Sequence, residues 1–386
     1  MIYFDNNTTT AVAPEVVGAM RSVVESDHVN AASDHYDSPL AKDIVEDSRR
    51  NIADLIGATD PDQIVFVRSN DEVDYSAILR VAVDTSNSPH VITSSVENKS
   101  VSEAFDTLAS KGCRITRLAV DESGSIDLDE LLSELGPQTR LVSLTMANNE
   151  TGTLFPISEI GVIIKERSSA LFHVDGANAV GKSPVEVMKA EIDLLSLSGN
   201  QFHGPKNIGA LYIRKGTNFA DWVIEGEGRA NPYPGLVAVH EIAGLGTAAR
   251  LAKDNEAETS VREMRDRLEN GILTNIPNAF VNGSTNPDKR LPNTTSISFA
   301  GVNGEALMSR LDELGVCVST SSACHFPAVA ESTILRAMNV PYERAMGSIR
   351  FSLSRYNKPD EVDHVVDKLI DIVDKLRQFA GYRCKI

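Results

Sequence analysis

Short apolar runs alternate with amphipathic segments over the first two thirds of the chain. Seven runs of five to eight residues predict β-strands, and they span 63–67, 90–95, 114–120, 140–147, 170–175, 193–199 and 209–214. Between them, segments such as VSEAFDTLASKG and ISEIGVIIKERSS have the apolar spacing of helices. Because nearly continuous apolar strands are buried on both faces, the pattern predicts a mostly parallel sheet covered by helices.

The pattern changes from about residue 257 onward. A charged helical segment, ETSVREMRDRLENGILTNI, leads into the strand-like TTSISFAG, the helical EALMSRLDELG, and the strand-like VCVSTSSAC and SIRFSLSR. The last predicted helix begins at Pro359, and its apolar face carries Val362, Val366, Leu369, Val373 and Leu376. These segments predict a second, smaller α+β unit.

Composition narrows the class of protein. The chain has 386 residues, of which 42% are hydrophobic and 24% charged, so a disordered, collagen-like or disulfide-stapled chain is excluded. Its 37 basic and 54 acidic residues give a net charge of −17, which argues against nonspecific nucleic-acid binding. There is no apolar run of about 18 residues and no signal-peptide pattern, so the sequence predicts a cytoplasmic protein without membrane contact.

Three stretches carry residues that suit chemistry. Asp175 ends an apolar strand, where α/β proteins place ligands, although a carboxylate there also caps turns. The polar Gly/Pro turn within 196–216 offers backbone N–H groups to an anion, or is only a turn. Cys324, in the polar loop STSSACHFP, is a candidate nucleophile or metal ligand, or an inert thiol. None of the four cysteines forms a C-x-x-C pair, so free thiols are expected.

These stretches occur in an order that resembles the cysteine desulfurases, fold-type I proteins of the class V aminotransferase group, over nearly the full chain. The matching motifs are YFDNNTTTAVAP, ANNETGTLFPI, HVDGANAVGK, SLSGNQFHGPKNIGALYI, VSTSSAC and SIRFSLSRYN. The resemblance implies an α/β fold: an aminotransferase-like large domain over 13–256, with a mostly parallel seven-stranded sheet. It also implies a small α+β domain, built from 1–12 and 257–386, that carries the cysteine loop.

In that family, pyridoxal phosphate is held as a lysine Schiff base, and a loop cysteine takes the substrate sulfur as a persulfide. The resemblance assigns Asp175 to the pyridinium nitrogen, Asn149 to the ring hydroxyl side and Ser198 to the phosphate. It assigns Arg355 to the substrate carboxylate and Cys324 to the persulfide.

Other positions depart from the family pattern. Asn200 and Gln201 stand where the family has His-Lys, so the Schiff-base amine is absent. Asn98 replaces the histidine that stacks on the ring, and Asp71 replaces a phosphate-binding threonine. Two further replacements are Leu236 for a threonine contributed across the dimer and Asn178 for a glutamine. These changes predict that pyridoxal phosphate is either not bound or held noncovalently.

Three functional hypotheses follow. The first is a sulfur-relay or iron–sulfur assembly protein that works without pyridoxal phosphate, with Cys324 as persulfide carrier or as ligand to an iron–sulfur cluster. The second is an active desulfurase with noncovalently held cofactor. The third is an inactive subunit that pairs with an active paralogue. The expected partners are a second copy of the chain and a sulfur acceptor or iron–sulfur scaffold, with no role for nucleic acid or membrane.

Overall fold

A computed structural model of the protein describes residues 1–26, 38–68, 70–81, 89–217, 238–254, 258–320 and 331–381. Two positions singled out by the resemblance, Leu236 and Cys324, lie outside the described residues. Within the described ranges, none of the helices combines the length and the apolar character that a membrane span requires.

A seven-stranded sheet forms from the seven apolar runs. Its strands are β2 (Ile64–Val67), β3 (His90–Ser94), β4 (Arg114–Leu118), β5 (Thr139–Thr145), β6 (Leu171–Asp175), β7 (Leu194–Ser198) and β8 (Gly209–Ile213), in the order β2-β8-β7-β6-β5-β3-β4. All neighbouring pairs from β4 to β7 are parallel, whereas β8 is antiparallel to both of its neighbours. The mostly parallel seven-stranded sheet is therefore confirmed.

Both faces of this sheet are covered. On β5, Leu141 packs with Phe105 and Leu108 of the helix Lys99–Ser110, while the next residue, Val142, belongs to a second core with Ile160 of the helix Ile157–Arg167. Because successive strand residues point to opposite faces, the two cores lie on opposite sides. The helices are α1 (Pro14–Ser26), α2 (Ser38–Ile56), α3 (Asn70–Val81), α4 (Lys99–Ser110), α5 (Leu128–Glu134), α6 (Ile157–Arg167) and α7 (Val239–Lys253).

The last third of the chain forms smaller sheets. Their strands are β1 (Ile2–Tyr3), β9 (Ala279–Asn282), β10 (Thr294–Phe299), β11 (Val316–Cys317), β12 (Ser319–Thr320) and β13 (Ser348–Ser352). Strands β12-β13-β10-β9 make one antiparallel sheet, and β1 pairs in parallel with β11. The N-terminal strand thus joins the C-terminal part of the chain.

Helices close the core of these smaller sheets. They are α8 (Glu258–Asn275), α9 (Gly304–Asp312) and α12 (Pro359–Phe379), whereas α10 (Thr333–Ala337) and α11 (Tyr342–Ala345) place their buried residues in the core of the large sheet. The apolar face predicted for the last helix is confirmed, because Val362, Leu369 and Val373 of α12 are buried with Phe4 and Phe351.

Candidate active site

Four neighbouring parallel strands bring the predicted residues to one edge of the large sheet. Strands β3, β5, β6 and β7 lie side by side, so their carboxyl ends are adjacent. Asn98 follows β3, Asn149 follows β5, and Asp175 and Ser198 are the last residues of β6 and β7. Ligands of α/β proteins bind at this edge, and the topology therefore places these side chains where a ligand would be held.

A cleft of about 810 Å³ opens at this edge, a volume that suits a small-molecule site. Seven of the residues singled out from the sequence line it, namely Asp71, Asn98, Asn149, Asn178, Ser198, Asn200 and Gln201. Asp71 lies in the first turn of α3. The hydroxyl of Ser198 donates to Asn200 Oδ1 at 2.6 Å, so this assigned phosphate donor already has an acceptor within the protein.

Asp175 lies beneath the cleft and is 1% exposed. Its Oδ1 accepts from the Ala177 N–H at 3.0 Å, which closes the turn after β6. Its Oδ2 accepts from the amide of Asn98. Asn98 occupies the N-cap position of α4 but makes no capping bond to that helix. Asp175 thus caps the turn that follows it and also accepts a hydrogen bond from Asn98, the residue at the position of the family's ring-stacking histidine.

Further buried acids surround Asp175. Burial raises the pKa of Asp175 to about 7, and the neighbouring carboxyl of Asp74 adds to the effect. Burial likewise raises the pKa of Glu97 to about 8, although Ser94 donates to this carboxyl at 2.5 Å. The pKa of Asp74 also lies well above its usual range because the group is fully buried. These acids hold protons at pH values where exposed carboxyls are ionised.

The histidine next to these acids does not neutralise them. His173 lies with Nδ1 2.8 Å from Ser143 Oγ and Nε2 3.2 Å from Asp74 Oδ1. Burial lowers the pKa of His173 to about 4. The neutral imidazole of His173 therefore contacts the carboxyl of Asp74, whose pKa is raised. This contact joins two uncharged groups and is not an ion pair.

The side chain of Gln201 is held on both sides. It sits in a 3₁₀ turn, Gly199–Gln201, that follows β7. Its Nε2 donates to the Asn7 carbonyl at 2.9 Å, and its Oε1 accepts from Lys182 Nζ at 2.9 Å. Burial, followed by the charge of Arg350, lowers the pKa of Lys182 to about 7. Sequence reasoning missed Lys182, whose only signal was its place in HVDGANAVGK, seven residues after Asp175.

Arg355 lies apart from the other predicted residues. It lines a neighbouring pocket of about 50 Å³ with Lys182, His203 and Gln201, and Gln201 borders both spaces. Arg350, which the sequence did not single out, lines the larger cleft together with Arg68. The sequence pointed to the segment SIRFSLSRYN, which carries both Arg350 and Arg355. It did not show which of the two lines the larger cleft.

Arg350 is buried and anchored. Its Nη2 donates to Asp5 Oδ1 and Thr8 Oγ1, each at 2.6 Å, and its Nη1 donates to the Asn149 carbonyl at 3.1 Å. The guanidinium thereby ties the N-terminal segment to the loop after β5.

Several polar atoms at the cleft are buried without a hydrogen-bond partner in the part of the chain that is described. They are Thr9 Oγ1, Ser100 Oγ, Asn149 Oδ1, Asn178 Oδ1 and Arg350 Nε, all on residues that line the cleft. Buried polar groups are normally satisfied by protein, water or a ligand. Their concentration here marks the cleft as a place for a polar ligand.

Cys324, the predicted persulfide residue, lies outside the described residues, whereas Cys113 and Cys317 are free thiols. Among the residues that the structure describes, no group of three or more His, Cys, Asp or Glu side chains is arranged to hold a metal ion.

Comparison with known proteins gives one consistent picture. The family model described as "Aminotransferase class-V" matches residues 2–365. The chain is 41% identical to a cysteine desulfurase of Trichormus azollae over 387 residues, covering 99% of this chain and 95% of the relative. It is 38% identical to the cysteine desulfurase NifS of Azotobacter vinelandii, covering 99% and 94%. A solved NifS-like protein superposes with a TM-score of 0.88 at 31% identity, covering 97% of this chain and 99% of the other.

Proposed function

Because the chain belongs to the cysteine desulfurase family of the class-V aminotransferases, we propose that it mobilises sulfur without using pyridoxal phosphate, the cofactor that the family implies. Cys324 is the proposed persulfide carrier. The chain acts as a homodimer that receives sulfur from one protein and delivers it to an acceptor or an iron–sulfur scaffold. The observation that carries this proposal is the pair of hydrogen bonds at Gln201, which occupies the position assigned to the Schiff-base lysine.

An amide at this position cannot form an imine, since its nitrogen has no available lone pair. Gln201 is also fully used by the protein, because its nitrogen donates to Asn7 and its oxygen accepts from Lys182. The side chain therefore acts as a hydrogen-bonded bridge between the N-terminal segment and the turn after β6. It is a structural substitute for the lysine rather than a chemical one.

The contacts of Asp175 and Asp71 also do not fit pyridoxal phosphate. Asn98 donates to the Asp175 oxygen Oδ2, so the carboxyl assigned to the pyridinium nitrogen already has a donor. Asp71 brings a carboxylate to the cleft where the family has a neutral phosphate donor. A carboxylate about 4 Å from a phosphate costs roughly 1–4 kcal/mol, depending on screening. The residues present at these positions therefore do not fit pyridoxal phosphate.

Sulfur transfer needs no cofactor once a persulfide is supplied. The thiolate of Cys324 attacks the outer sulfur of a donor persulfide, a new S–S bond forms, and the donor's S–S bond breaks to release its thiolate. The sulfane sulfur changes hands, so no oxidant or reductant is consumed. The same thiolate could instead ligate an iron–sulfur cluster at the scaffold interface.

A second candidate, a desulfurase with noncovalently held pyridoxal phosphate, draws support from the unpartnered oxygens. Asn149 Oδ1 and Asn178 Oδ1 stay unsatisfied at the cleft within the described residues, as expected of a site that still takes a polar ligand. The third candidate, an inactive subunit paired with a paralogue, predicts instead that function is indifferent to Cys324.

A cofactor challenge separates the first two candidates. Purified protein is incubated with pyridoxal phosphate, its visible spectrum is recorded, and its intact mass is measured after borohydride reduction. We expect no absorbance band and no adduct. An absorbance band that survives gel filtration, together with a one-to-one adduct on a single lysine at the cleft, would reject the cofactor-free proposal.

A set of variants tests whether the scaffold or only the site has diverged. We expect Gln201→Lys alone to restore little binding, because the stacking ring and the phosphate donor are still missing. The combined variant Asp71→Thr, Asn98→His, Asn200→His, Gln201→Lys should give a yellow protein. If the single change already gave a stable aldimine, the other departures would not matter as proposed.

The persulfide role of Cys324 is tested with an active desulfurase and L-cysteine as the sulfur source. Persulfides are alkylated and located by peptide mass. We expect Cys324→Ala to abolish labelling and to change stability by less than about 0.5 kcal/mol, while the matched Cys317→Ala retains the label. Equal labelling of both variants, together with full complementation by Cys324→Ala, would favour the inactive-subunit hypothesis.

A further inference from the structure

The amine of Lys182 has surroundings that suit covalent chemistry and that the sulfur-transfer proposal does not use. Its Nζ donates to Gln201 Oε1 at 2.9 Å and to Asn7 Oδ1 at 3.3 Å. Both acceptors are neutral amide oxygens, and no carboxylate forms an ion pair with Lys182 in the described part of the chain. A neutral amine can satisfy these two acceptors with its two hydrogens, which leaves its lone pair free.

Two features favour the uncharged form of this amine near neutral pH. The half-buried side chain is desolvated at its amine, and the charge of the Arg350 guanidinium disfavours a second positive charge, so the pKa of Lys182 falls to about 7. Desolvation and a cationic neighbour are the two devices that turn lysine into a nucleophile for carbonyl compounds. By contrast, Lys206 at the rim of the larger cleft is exposed.

The pocket beside Lys182 indicates what would react with it. Arg355 lines this pocket, and among the described residues it makes a single hydrogen bond, to the Leu251 carbonyl at 3.5 Å, and no ion pair with a carboxylate. Lys182, His203 and Arg355 all line this pocket. A free guanidinium near a nucleophilic amine suits a ligand that carries a carboxylate next to a carbonyl group.

We propose that Lys182 binds a small α-oxo acid as an imine, with the ligand's carboxylate on Arg355. The Lys182 nitrogen adds to the carbonyl carbon, the carbonyl oxygen leaves as water with the two amine protons, and a C=N bond replaces the C=O bond. No electrons are gained or lost. The pocket volume of about 50 Å³ limits the ligand to a few carbon atoms.

The test uses glyoxylate as the probe, with cyanoborohydride to reduce and trap the imine, followed by peptide mapping of the full-length protein. We expect one dominant adduct, on the peptide that contains Lys182. Lys182→Arg, which keeps the charge but not the nucleophile, should lose that adduct, whereas Lys206→Arg should retain it. Labelling spread over the surface lysines, or unchanged in Lys182→Arg, would overturn the proposal.

The pH dependence of labelling tests the imine at Lys182, and substitution of Arg355 tests the carboxylate contact. Labelling at Lys182 should rise through about pH 7, whereas exposed lysines should react only as the pH approaches about 10. Arg355→Gln should lower glyoxylate labelling about tenfold and leave labelling by neutral acetaldehyde unchanged. An equal loss with both probes would overturn the carboxylate assignment. None of these outcomes depends on Cys324, so failure here leaves the sulfur-transfer proposal standing.

Discussion

Two carboxyls in this protein have opposite surroundings, namely the largely buried Glu269 on α8, which is 13% exposed, and the fully buried Asp175 at the end of β6. Glu269 accepts from both Nη atoms of Arg290, at 2.6 and 3.3 Å, and from Thr295 Oγ1 at 2.6 Å. Burial alone would raise the pKa of Glu269, but the bonds and charge of Arg290 outweigh it, and the pKa is lowered. Asp175 has amide donors and acidic neighbours instead, and its pKa is raised.

This difference distinguishes a carboxyl with a structural role from one at a candidate functional site. A buried carboxylate that meets an arginine and a hydroxyl is complete without anything else, so its role is to fix the packing of α8 against β10. A buried acid beside other acids, under a cleft with unsatisfied polar atoms, is complete only with a proton or a ligand. Shifted acids of this kind cluster at functional sites, which is why the Asp175 region, and not the Glu269 region, is the candidate site.

The largest effect is expected from breaking the satisfied pair. Glu269→Ala would leave Arg290, whose side chain is 3% exposed, without its counter-charge. We expect a loss of about 3–5 kcal/mol in the free energy of unfolding, measured by urea denaturation. The matched control is Asp363→Ala, which removes the 2.5 Å pair with Arg267, where both side chains are about half exposed. That pair should contribute less than about 1 kcal/mol. Similar losses for the two variants would contradict the contrast.

A smaller effect, with the opposite pH dependence, is expected at Asp175. Its pKa is raised from 3.8 to about 7, so wild-type stability is complete below about pH 4 and falls as the pH rises through 7. Asp175→Asn does not titrate, and relative to the wild type it should gain about 2–4 kcal/mol between pH 4 and pH 8. Glu269→Gln should behave in the reverse way, with its deficit shrinking as the pH falls through the lowered pKa of Glu269. A flat difference for Asp175→Asn would mean that the carboxyl is not desolvated.

Local patterns together with the family resemblance were enough to predict the fold, and tertiary contacts explain what was missed. The apolar runs predicted β5 and β6 because a buried strand consists of consecutive apolar residues, which are visible in the sequence. The role of Arg350 could not be read, since its partner Asp5 lies 345 residues away and is brought near only when β1 and β13 are in place. The sequence indicated the position of Asn98 but not its hydrogen-bond partner. Asparagine at an N-cap usually bonds to the helix that follows, whereas the amide of Asn98 donates to Asp175 instead.

The smallest of these effects concerns that amide, and it tests whether Asn98 serves the helix or the acid. Because Asn98 makes no capping bond to α4, Asn98→Ala should cost little while Asp175 is protonated. Above about pH 7 the ionised carboxylate loses a donor, and we expect a cost of about 1–2 kcal/mol in the free energy of unfolding. A double-mutant cycle with Asp175→Asn, followed by urea denaturation at pH 5 and pH 9, checks this assignment. The coupling energy should be near zero at the lower pH and appear at the higher one. A loss that is the same at both pH values and in both backgrounds would instead show that Asn98 acts on the helix.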